Sequence, residues 1–119
     1  MKRHNFKKLQ IWSDSMEIIN QTYLFTNTFP DFEKFGLRTQ MNRCAVSIAS
    51  NISEGSSKRT DIHFAKYLDD SLGSTYEWET QLIVAYTQNY ISEELFNKLE
   101  KEINILQKKT SNFIDSLDI

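Results

Sequence analysis

The chain has 119 residues, a length that suits one compact domain and leaves no room for two. Apolar residues make up 39% and charged residues 25%, so the chain can bury a core and is not disordered. A net charge of −2 with a pI near 5.7 gives no global reason to bind nucleic acid, and three glycines with one proline are too few for a sandwich or barrel.

Apolar residues recur at helical spacing in four segments. The first, about Phe6 to Phe29, places Leu9, Trp12, Met16, Ile19 and Tyr23 on one stripe expected to face the core. Phe29-Pro30 ends it, because a residue before proline is pushed out of the helical region. The connector PDFEKFG leads to a second helix, about Leu37 to Glu54, with Met41, Ala45, Ile48, Ala49 and Ile52 as its apolar face. Gly55 is expected to release the chain into the loop SSKR. Thr60 or Asp61 then caps a third helix running to about Tyr90, with Phe64, Leu68, Leu72, Thr75, Leu82 and Tyr86 inward. Ser92 caps the fourth, where Leu95, Leu99, Ile103, Leu106, Thr110, Phe113 and Leu117 step by threes and fours. Short connections favour antiparallel neighbours, so the expected fold is all-α: an antiparallel up-down four-helix bundle forming a single domain over residues 1–119.

Helix one carries a second apolar stripe. Ile11, Ile18, Phe25 and Phe29 lie roughly 100–140° around from the first, at about 100° per residue. Helix three is also broad, with Tyr67, Trp78 and Ala85 widening one flank and Tyr76 and Ile83 the other. A surplus on two helices points to self-association, and Ile11, Ile18, Phe25 and Phe29 are the expected oligomer interface.

On helix two, Gln40, Arg43, Ser47, Ser50 or Asn51, and Glu54 follow the spacing of a helix–helix seam, filled here with hydrogen-bonding groups. Short polar side chains of low helix propensity suit a buried network between helices or subunits better than a solvated face. The network set is Gln40, Arg43, Ser47, Asn51 and Glu54. Catalysis has little support. His4 and His63 form no recognisable triad with Cys44, no Glu stands three residues before either histidine as a di-iron bundle requires, and Glu77 and Glu79 point in different directions. No catalytic, cofactor-binding or metal-binding residues are assigned, and no cofactor is expected. The lone Cys44 fits a reducing cytosol, and no apolar run approaches a membrane span, so a soluble cytoplasmic protein without membrane contact is expected.

LRTQMNRCAVSIASNISEGSSKRT, followed by FAKYLDDSLGSTYEWETQL, resembles the four-helix-bundle proteins encoded by intervening sequences of bacterial 23S ribosomal RNA genes, to which the accessory variability proteins of diversity-generating retroelements are similar. The most specific matches are Gln40, Arg43, Ala45-Val46-Ser47-Ile48, Asn51-Ile52 and Glu54-Gly55, with Gly73-Ser74, Glu77 and Glu79-Thr80 as a second block. The resemblance implies a bundle that assembles into a ring, typically a homopentamer, without established enzymatic activity. The retroelement relatives use a basic ring surface to bind nucleic acid and a reverse transcriptase. Asn42, Cys44, Asp70 and Ser71 depart from the family pattern, and with the negative net charge they weaken the nucleic-acid inference while leaving assembly intact.

Two function classes follow. The first is a non-catalytic oligomeric scaffold, with itself and a further protein as partners. The second is an RNA- or DNA-binding module drawing on Lys2, Arg3, Lys7, Lys8, Lys34, Arg38, Lys58 and Arg59, with Lys7, Lys8, Arg38, Lys58 and Arg59 as its core set. Such a module would gather these cations at one rim of the ring, where several copies add their contacts.

Overall fold

A computed structural model describes residues 3–119, so Lys2 lies outside it. Four helices form: α1 (Gln10–Thr26), α2 (Leu37–Ser56), α3 (Asp61–Thr87) and α4 (Glu93–Asp115), with short 3-10 turns at Phe6–Lys8 and Asp31–Glu33. Each helix packs on its neighbours in sequence and α4 closes onto α1, giving a body of 48 × 25 × 19 Å. Among the described residues no strand is present, and no helix is long and apolar enough to cross a membrane.

Helix α1 begins later than expected. The 3-10 turn occupies Phe6–Lys8, and an extended Leu9 precedes the first α-helical residue. Thr60 caps α3, its hydroxyl accepting from the His63 N–H, and Ser92 caps α4 by accepting from Leu95 N. Helix α3 stops at Thr87 because Asn89 turns left-handed, φ 64°, a conformation asparagine tolerates.

The two stripes of α1 exchange roles. Ile11, Ile18, Phe25 and Phe29, expected at an oligomer interface, are buried in the core of the subunit, Ile18 at 3% exposure. The stripe expected inside lies on the outer flank, with Met16 36% and Tyr23 50% exposed and Leu9, Trp12 and Ile19 half-buried. The core face of α1 interleaves hydroxyls with apolar residues: Ser15, Thr22 and Thr26 are buried beside Ile11, Ile18 and Phe25. Ser15 donates to the Ile11 carbonyl and Thr22 to the Ile18 carbonyl, each at 2.6 Å, so both hydroxyls enter the core already satisfied.

On α3, Trp78 and Ala85 likewise belong to the core rather than to a flank, whereas Tyr76 and Ile83 face outward. Trp78 is fully buried and reaches across the bundle diagonal, its Nε1 donating to Thr22 Oγ1 at 3.0 Å.

Candidate functional site

The polar seam of α2 divides in two. Ser47 alone among its five residues meets another helix by a side-chain bond, its hydroxyl 2.9 Å from that of Ser74 on α3. Asn51 turns back on α2 and donates to the Ser47 carbonyl at 2.9 Å. Gln40, Arg43 and Glu54 are exposed, and among the described residues their side chains make no hydrogen bond or ion pair. A continuous network within the subunit is therefore not formed. The longer side chains of Gln40, Arg43 and Glu54 sit on the outer edge of the helix, while the short Ser47 reaches the α2–α3 contact.

That contact is close because it is built from small residues. The Ser71 hydroxyl donates to the Ile48 carbonyl at 2.7 Å, and the Cys44 thiol donates to the Ser74 carbonyl at 3.2 Å. Burial, with the Glu77 carboxylate behind it, pushes the Cys44 thiol up to about 12, so it stays protonated and a poor nucleophile at neutral pH. Gly55 lies inside α2, buried, against Phe64 and Tyr67 of α3. Its role is close packing, and the helix runs past it to Ser56, so it does not release the chain into a loop as expected.

Beyond that glycine the turn between α2 and α3 gathers cations. Lys58, Arg59 and Arg3 line one open cleft together with Ser57, Thr60 and His63. Arg3 is fixed there by its Nε–H, which donates to the Ser57 carbonyl at 2.8 Å, and Lys58 lies 5.0 Å over the Tyr67 ring. The His4 imidazole anchors the incoming segment, 2.9 Å from Asp61 Oδ1, and the Asp118 N–H donates to the other carboxylate oxygen. The His4 contact first, and the Asp118 N–H after it, hold the Asp61 carboxyl below the usual carboxylate range.

The remaining basic residues do not converge on this cleft. Lys8 lies at the same end of the bundle but on the α1–α4 side, next to Asn112 and Phe113, and Lys7 extends over the ring of Phe6. Arg38 opens α2 at the opposite end, about 30 Å away along a helix of 20 residues, and bonds Asn27.

Two polar clusters were not read from the sequence. Glu33 accepts from the Leu37 N–H at 3.0 Å, capping α2, and from the Tyr90 hydroxyl at 2.8 Å, and these two bonds hold its carboxyl below the usual range. A Cβ on Gly36 would stand 2.6 Å from that carboxylate, a closeness that exists only once the connector is folded. Between α3 and α4, Glu79 accepts from Gln107 at 2.9 Å and Asn104 at 3.2 Å. Burial, followed by the charge of Glu79, pushes neighbouring Glu100 above the usual carboxylate range.

Comparison with known proteins identifies the family. A crystal structure from Bacteroides thetaiotaomicron VPI-5482, described as a protein with unknown function from the S23 ribosomal protein family, has the same fold: TM-score 0.79 at 21% identity, covering 89% of this chain and 99% of that one. No curated protein matches the sequence. The family described as 23S rRNA-intervening sequence protein matches residues 7–112, nearly the whole length, and the chain belongs to it.

Proposed function

We propose that the chain is a non-catalytic, homo-oligomeric scaffold of the cytoplasm, with a ring of five as the arrangement its family resemblance favours. The observation that carries this reading is the outer apolar flank of α1. Met16 and Tyr23 are exposed on a stripe with Trp12 and Ile19, and the Thr26–Asn42 hydrogen bond, 2.8 Å, sets α2 alongside. One turn from that bond, exposed Val46 extends the same patch. Exposed Tyr76 and Ile83 form a second patch on α3, away from the first. Two different apolar patches on one subunit suit head-to-tail contacts, which close into rings. Light scattering after size exclusion should give a multiple of 14.0 kDa, about 70 kDa for five chains. Met16→Glu with Tyr23→Glu should reduce the mass to that of one chain, since a charge cannot be desolvated there without a partner. A monomeric parent protein would overturn the reading.

The cleft of Arg3, Lys58, Arg59 and His63 supports a second reading, an RNA- or DNA-binding module with that cleft repeated around a rim. Under it, affinity falls steeply with salt, and Lys58→Ser with Arg59→Ser flattens that slope by about two while leaving folding intact. An unchanged slope removes the cleft from the binding surface.

A further inference from the structure

The seam between α1 and α4 is the most open of the four, and three cavities are strung along it. Ile11, Ile18 and Phe25 each form part of the floor of one cavity. They are seven residues apart, two helical turns, so the floor repeats at the period with which a further helix would present its own side chains. Leu24 and Ile105, 69% and 44% exposed, supply apolar walls.

The middle of the groove is acidic. Among the described residues, Asp14, Glu17 and Glu102 line it against one cation, Lys109, whose Nζ lies 2.9 Å from Asp14. Glu102 is half-buried, and its Oε2 is enclosed there without a hydrogen-bond partner among the described residues. The other cation along the groove, Lys8, stands at one end, beyond this acidic stretch. Apolar floor, apolar walls and a central carboxylate oxygen open to a donor describe the complement of one occupant.

We propose that the α1–α4 groove docks an amphipathic helix of a partner protein, with apolar residues repeating every seven and a central arginine or lysine received by Glu102 and Glu17. The guanidinium supplies the bond that Glu102 lacks, and the exposed Asp14–Lys109 pair, weak by its solvation, yields to the incoming side chain.

The probe is a fluorescein-labelled synthetic helix of about 20 residues, long enough to cover Ile11 to Phe25, with leucine every seventh position and one central arginine. A second peptide carries glutamate in place of the arginine. Fluorescence anisotropy with the full chain should show the arginine peptide binding at least about tenfold more tightly. Glu102→Gln should remove most of that difference without lowering the melting temperature, and Ile105→Lys should abolish binding of both. Equal binding of the two peptides, or no binding of either, overturns the proposal. So does a light-scattering mass that falls on Ile105→Lys, because the groove would then belong to a second copy of this chain.

Discussion

Trp78→Ala is expected to destabilise the bundle by about 3–5 kcal/mol, seen as a lower denaturant midpoint at nearly unchanged slope. The indole is fully buried, meets Phe25 edge-on at 6.3 Å between ring centres, and bonds Thr22 on the diagonally opposite helix. Truncation removes the largest fully buried side chain and opens a cavity where the surrounding helices cannot collapse inward freely. Against a typical total of about 5–15 kcal/mol, that loss leaves a marginal fold. Thr22→Val separates the polar part of the effect. It keeps the volume but strands the Trp78 Nε1–H, costing about 1–3 kcal/mol. A loss under about 1 kcal/mol from Trp78→Ala would show that the diagonal is not a packing centre.

Alanine at Gly55 and at Gly73 should move stability in opposite directions, although both glycines lie inside helices. A Cβ on Gly55 would stand 2.5 Å from Tyr67 Cβ and 2.9 Å from Phe64 Cδ1. The Tyr67 atom is attached directly to backbone, so α2 and α3 must move apart, at a cost of about 1–3 kcal/mol that outweighs the gain in helix propensity. A Cβ on Gly73 meets nothing within 4 Å, so alanine there gains up to about 1 kcal/mol. For a chain of this size each kcal/mol appears as about 3–6 °C in thermal unfolding. A loss at Gly73 would mark that bare stretch as a surface pressed by another backbone.

The helices were legible because their apolar residues recur at the right period and Thr60 and Ser92 cap where they stand in sequence. The inner face of α1 was not. Its core side reads Ile, Ser, Ile, Thr, Phe, while its outer side reads Leu, Trp, Met, Ile, Tyr, so hydropathy alone favours the wrong face. Ser15 and Thr22 become tolerable inside only through bonds to their own helix, which a hydropathy pattern does not register. The seam on α2 was legible as a surface with a purpose at Ser47, where Ser74 answers it. At Arg43 and Glu54 the same spacing leads outward, since one residue of helical rotation separates a contact from its rim. The basic cleft was half legible: Lys58 and Arg59 are adjacent in sequence, but Arg3 arrives from more than fifty residues away along the chain.

One carboxylate holds both ends of the described polypeptide, since His4 and Asp118 each bond Asp61. The path through the four helices is thus an almost closed circuit, with a gap that a few residues would bridge. Joined there and opened instead in the connector around exposed Phe32 and Phe35, the chain would keep the same helix neighbours in the same order around the ring. The order in which the helices leave the ribosome is therefore separable from the architecture they reach.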